Sequence, residues 1–189
     1  PGTYTIPVLD SLVLLGGSPT MTLVNNGRLV LLGSPTVNGT VTTGLTSVIE
    51  MRGTATTGSG SATITNGFTN TGAIELTDVA AGYGAALTVT TGTLVNAATG
   101  TITALVGGNG ARTLAAALNN QGTIALPQDL TLSRASAAHV NSGTINVTGG
   151  NFSVTQTGTS PSFPNTGTIA VTAGRTVSVS GGTLDLSAG

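Results

Sequence analysis

Cysteine is absent from this chain of 189 residues. Disulfides, thiolate chemistry and cysteine-ligated metals are thereby removed together. Lysine is absent as well. The five positive charges are Arg28, Arg52, Arg112, Arg134 and Arg175, and charged residues make up only 6% of the chain, against the usual share of about 25%. With a net charge of −1, no basic cluster is available for nucleic-acid phosphates or for anionic lipid. No apolar run approaches the roughly 20 residues of a membrane-spanning helix. Tyr4, Tyr83, Phe68, Phe152 and Phe163 are the whole aromatic set, whereas a sugar-binding groove usually shows several exposed aromatics. A chain that begins at Pro1 rather than Met, with no signal peptide, reads as a mature product or an excised fragment.

What the chain does have is uncharged polar residues and a repeat. The unit is apolar, any, Asn, any, Gly, polar, Ile or Leu, any, apolar. It occurs as Phe68-Thr-Asn-Thr-Gly-Ala-Ile-Glu-Leu76, Leu118-Asn-Asn-Gln-Gly-Thr-Ile-Ala-Leu126, His139-Val-Asn-Ser-Gly-Thr-Ile-Asn-Val147 and Phe163-Pro-Asn-Thr-Gly-Thr-Ile-Ala-Val171. An early copy is Leu23-Val-Asn-Asn-Gly-Arg-Leu-Val-Leu31, and Leu94-Val-Asn-Ala-Ala-Thr-Gly-Thr-Ile102 carries a two-residue insertion. Asn38-Gly-Thr-Val41 reads as a degenerate copy. The repeat asparagines are Asn25, Asn70, Asn96, Asn120, Asn141 and Asn165, and the glycines are Gly27, Gly72, Gly100, Gly122, Gly143 and Gly167.

The last four glycine intervals are 28, 22, 21 and 24. A period near 22 suits three short strands and three turns, the content of one coil of a parallel β-helix. Between the copies, Leu87-Thr-Val-Thr90, Leu130-Thr-Leu-Ser133, Phe152-Ser-Val-Thr155 and Thr176-Val-Ser-Val179 alternate apolar and polar, as a strand with one buried face does. The expected fold is all-β: a single-domain parallel β-helix over residues 1–189, with coils of about 22 residues. Residues 1–60 are expected to be irregular or capping, because Leu12-Val-Leu-Leu echoes Leu29-Val-Leu-Leu at an offset of 17. Residues 61–189 carry the regular coils.

Each repeat position has a physical reason. Thr points out and Ile points in, because side chains alternate across a strand. Ile74, Ile102, Ile124, Ile145 and Ile169 should then form one interior column. Glycine is expected to supply a positive φ at the turn, and stacked asparagines can bond from coil to coil. About eight coils spaced by about 4.8 Å make a rod roughly 40 Å long. Alanine is dense at residues 112–118 and 135–140, where a short helical turn is the competing reading.

The Asn-x-Gly-Thr-Ile steps at 120–124, 141–145 and 165–169, joined by Leu-Thr-Leu-type strands, resemble those of filamentous-haemagglutinin-like and autotransporter passenger domains. The resemblance covers residues 68–186 well and the first 60 poorly. It implies a right-handed β-helix, export to the bacterial cell surface or beyond, and a role as adhesin, stalk or display scaffold.

Chemistry is sparse. Glycoside hydrolysis needs paired carboxylates, and the six acids, Asp10, Glu50, Glu75, Asp78, Asp129 and Asp185, are scattered. Reading the exposed repeat position as Glu75, Thr103, Ala125, Asn146, Ala170 and Asp185 puts its two acids several coils apart. Glu75 and Asp78 form the one close acidic pair, read as a solvated turn, and Asp129 with Arg134 reads as a surface ion pair. His139 occupies an apolar repeat position and is expected to be packed rather than catalytic. Gly107-Gly-Asn-Gly110 lacks the Lys-Ser/Thr of a P-loop and reads as an inter-coil loop. A Thr-x-Thr ladder for ice is broken, since Thr101-Ile-Thr is followed by Thr-Ile-Ala and Thr-Ile-Asn. Tyr83, on the longest excursion, is the candidate ligand contact.

These readings converge on a non-enzymatic structural or adhesive segment that is secreted or displayed on a bacterial surface. It needs no cofactor and no metal. Its expected partners are a cell-surface glycan, a host or neighbouring surface, or further copies of itself joined end to end, because the strand pattern continues through residues 180–189. The alternatives are a carbohydrate-active β-helix enzyme, a lyase or hydrolase, and a carbohydrate-binding module.

Overall fold

The computed structural model describes residues 2–80 and 82–187. Ala81 in the Tyr83 excursion, and Ala188 and Gly189 in the continuing strand pattern, lie outside that set. Among the described residues there are 22 strands and no helix. Every pairing between named strands is parallel, and the chain winds as a β-solenoid of about seven turns roughly 24 residues apart.

One face of the solenoid has eight strands: Ser11–Leu15, Arg28–Leu32, Val48–Gly53, Ala73–Asp78, Thr101–Ala104, Thr123–Leu126, Thr144–Val147 and Thr168–Val171. Their register places Leu12, Leu29, Ile49, Ile74, Ile102, Ile124, Ile145 and Ile169 in one inward column. Successive members are separated in sequence number by 17, 20, 25, 28, 22, 21 and 24. The echo at an offset of 17 is therefore one short coil in the same column. Seven steps of about 4.8 Å give a rise of about 34 Å.

The second face carries Thr36–Val37, Gly60–Asn66, Ala85–Asn96, Arg112–Asn120, Leu130–Ser133, Phe152–Thr155 and Val177–Ser180. The 12-residue strand Ala85–Asn96 slips register between Thr88 and Thr93. Gly92, at φ +72, sits in that slip. The strand thereby reaches the third side, where Val95 and Asn96 pair with Thr69 and Asn70. The Ala-dense residues 112–118 are strand, not helix. Ala116 points into the core and Ala115 and Ala117 point half outward, so the alternation overrides helix propensity. Residues 135–139 are turn and bridge, and Val140 opens a two-residue strand, so no helix forms there.

The degenerate copy is not where the spacing put it. Val41 pairs with Leu23 and Thr43 with Asn25, while Ile49 pairs with Leu29. The missing coil is therefore residues 41–51, with Thr43 at the asparagine position. Ser47 holds the glycine position, its carbonyl accepting from Ala73 as that of Gly72 accepts from Thr101. Gly39 precedes this coil, at φ +147.

The reason for the repeat glycine also differs from expectation. Gly27, Gly72, Gly100, Gly122, Gly143 and Gly167 are not among the positive-φ residues. Each lies directly over the preceding coil, where a Cβ would overlap backbone carbonyls: those of Gly122 and Gln121 in the case of Gly143, those of Gly100 and Ala97 in the case of Gly122. Close approach, not backbone sign, demands glycine. Gly143→Ala should therefore cost about 1–3 kcal/mol through overpacking. Gly174→Ala, at φ +79 in open space, should cost about 1 kcal/mol through the left-handed backbone alone. Urea unfolding of the two variants separates the mechanisms.

Candidate functional surface

The repeat asparagines line the inside of a corner and are buried. Asn70 Nδ2 donates to Asn96 Oδ1 at 2.9 Å, Asn96 to Asn120 at 2.7 Å, Asn120 to Asn141 at 2.6 Å and Asn141 to Asn165 at 2.6 Å. Each Nδ2 also reaches the carbonyl of its own repeat glycine, from 3.1 Å at Asn70 to 3.4 Å at Asn120. Thr43 interrupts this ladder, its hydroxyl turning to Thr69 and Thr71 instead. Asn25 donates to the Val48 carbonyl at 3.0 Å. The Oδ1 atoms of Asn25 and Asn70, which the interruption and the first coil leave without donors, have no partner. The ladder is a structural element with no face open to a ligand.

The acids are arranged differently from the sequence reading. Glu50 and Glu75 are register partners on adjacent coils. Asp185 belongs to another strand, paired beside Pro164. Arg52 Nε grips Glu50 Oε1 at 2.5 Å, Arg28 Nε reaches Glu50 Oε2 at 2.9 Å, and Arg28 Nη2 reaches Glu75 Oε2 at 2.8 Å. Burial alone would raise the Glu50 carboxyl, but the Arg52 and Arg28 bonds outweigh it and hold its pKa below the usual value. A general acid for glycosidic cleavage needs the opposite shift.

Asp78 is not in a solvated turn. It is buried against Arg112, forms an ion pair with it, and accepts N–H bonds from Gly108 at 2.8 Å and Gly110 at 2.9 Å. Arg112, itself fully buried, spends its other donors on the carbonyls of Leu76, Leu105 and Gly110. The Gly107-Gly-Asn-Gly110 loop is thus the cradle of a carboxylate from its own chain, clamping the excursion at 105–111 to the coil below. Tyr83 sits half-buried on the neighbouring excursion, its backbone packed against Gly53 and Gly110. Asp129 and Arg134 are not paired. Asp129 accepts from the Asn151 amide at 2.7 Å, and Arg134 donates to the Thr90 carbonyl. His139 is buried in the core.

No family model matches this chain, and neither does any curated protein or solved structure. The outward positions of the second face form two columns of small residues. One runs Ser61, Ala86, Thr113, Thr131, Ser153, Ser178. The other runs Thr36, Thr63 and Thr88, then past Ala115 to Ser133, Thr155 and Ser180. Neither column carries a charge. Positions repeat about every 4.8 Å along the rod and about 6.6 Å across it, with a hydroxyl at each except Ala86 and Ala115. The first face has a shorter column, Thr101, Thr123, Thr144 and Thr168. Only the first-face threonines are legible in the sequence, because Ser, Thr and Ala are too common here for the alignment of Ser61 with Ser178 to stand out.

Proposed function

We propose that the chain is a non-enzymatic structural and adhesive segment of a bacterial secreted or cell-surface protein, of the filamentous-haemagglutinin or autotransporter-passenger type. The observation that carries this reading is the charge-free double column of hydroxyls and methyls on the second face. Such a surface suits a neutral, hydroxyl-rich partner, a cell-surface glycan, reached by many weak contacts rather than one pocket. The commitment of Glu50, Glu75 and Asp78 to arginines favours scaffold over catalysis. End-to-end association of copies belongs to the same proposal. The last described coil leaves Val171, Leu184 and Leu186 exposed around an open cavity of about 410 Å³.

Immobilised neutral polysaccharides should retain the protein at low and high salt alike, since no ion pair is involved. Thr131→Lys with Ser153→Lys should weaken retention by about tenfold or more, as two ammonium groups would be desolvated on binding. Retention unchanged by this pair would remove the second face as the contact. Polysaccharide cleavage abolished by Glu75→Gln would establish the enzyme reading instead, and thermal hysteresis abolished by Thr131→Lys would establish ice as the occupant.

A further inference from the structure

His139 is the one fully buried titratable side chain, among the described residues, that has no charged partner. It stands in an inward column with Phe68, Leu94 and Leu118 before it and Phe163 after it. Its ring meets Phe163 edge-on, with centroids 6.3 Å apart, and Phe163 in turn meets Phe152. Its Nδ1 accepts the backbone N–H of Leu118 at 3.3 Å, and its Nε2 has no partner. That geometry admits only the neutral imidazole. An imidazolium carries N–H on both nitrogens and cannot accept a bond from Leu118.

Among the described residues no charged group bonds the ring; Asp185, in register with Pro164 on the next coil, is exposed and accepts the Ser187 N–H. The strands Val140–Asn141, Ser162–Pro164, Thr123–Leu126, Thr144–Val147, Leu130–Ser133 and Phe152–Thr155 carry no ionisable side chain. Arg112, at the far end of Arg112–Asn120, is committed to Asp78. Asp129 and Arg134 flank their strand and bond to Asn151 and Thr90.

We propose that His139 is a proton-operated latch: acidification turns it into an imidazolium that can neither hold Leu118 nor remain in the apolar column, so the coils around residues 118–163 loosen before the rest of the rod. An adhesive rod of this kind would soften toward its C-terminal coils in an acidified environment and stiffen again at neutral pH.

Burial pushes the His139 pKa down from 6.5 to about 4. Between those values the open chain binds a proton that the closed chain excludes. Stability is therefore complete above pH 6.5, falls as pH drops toward 4, and levels below it. The opening equilibrium should shift about tenfold per pH unit in that window, about 300-fold in all. The Glu50 and Asp78 carboxyls, whose pKa values are lowered, lose their contributions only at lower pH.

Amide hydrogen exchange, corrected for intrinsic rates, tests the latch between pH 7 and 4.5. Peptides covering 114–120 and 139–147 should lose protection steeply as pH falls, while 48–53 stays protected. His139→Leu, which installs the residue found at 94 and 118, should abolish the pH dependence, and His139→Phe should do the same with the residue found at 68 and 163. Equal pH dependence in wild type and variants, or equal loss in all coils, would overturn the proposal. So would an NMR titration of the single imidazole in the native protein with a midpoint near 6.5 rather than 4, a reading that needs no variant to fold.

Discussion

Arg112→Met should cost about 3–5 kcal/mol of folding stability, the range for stranding a buried charge. The side chain is entirely buried, and its guanidinium satisfies Asp78 together with the carbonyls of Leu76, Leu105 and Gly110. Met fills much of the same volume, so the loss isolates the electrostatic part. Asp78→Asn added to Arg112→Met should recover a good part of it, because the remaining amide is neutral. Urea denaturation of the two single variants and the double variant gives the coupling energy. The pair also has an acid signature. Burial raises the Asp78 carboxyl, but the Gly110 and Arg112 bonds overcome that and lower its pKa. A depressed carboxyl contributes stability that is present above its unfolded pKa and is lost as pH falls below that value toward the folded one. In the Arg112→Met variant that segment of the pH profile should shrink, because only the Gly110 and Gly108 bonds remain to oppose burial.

Asn120→Ala should cost about 2–3 kcal/mol, because a buried group left stranded costs about 1–3 kcal/mol. The substitution strands Asn141 Oδ1, whose donor it removes, and takes one acceptor from Asn96 Nδ2, which keeps the Gly100 carbonyl, all of it buried where water cannot replace the lost partner. Asn25→Ala, at the far side of the Thr43 interruption, has no ladder partner and gives up only its bond to Val48. It should cost about 1 kcal/mol. Thermal unfolding of the two variants measures the difference, and equal losses would mean the ladder adds nothing beyond single bonds.

The sequence spelled out the architecture because Asn-x-Gly-Thr-Ile fixes register and inside-outside polarity in one short string. Ile74 to Ile169 could be stacked on paper for that reason. Coil 41–51 was hidden because Thr43 and Ser47 replace the two residues that announce a coil. The need for the repeat glycine leaves no local mark in the sequence, because the contact is with the preceding coil, a whole turn of the solenoid back along the chain. Arg112 was masked by alanines, and its partner Asp78 is 34 residues away; aligning Leu87-Thr-Val with Leu114-Ala-Ala would have revealed the strand. Glu50 next to Glu75 followed from the same missed coil. The hydroxyl columns of the second face appear only once register is known.

The architecture rests on one coil stacking on the next in parallel register from Ser11 to Val171. The absence of native cysteine makes site-directed spin labelling clean. Labels at Ala73 and Thr168, outward positions four coils apart, should be about 19 Å apart, and labels at Ser11 and Thr168, seven coils apart, about 34 Å. Electron–electron dipolar spectroscopy resolves both distances. The predicted result is a difference of about 14 Å between them, the rise of three coils. Equal distances, or a longer pair that falls below the shorter one, would contradict the stacked solenoid.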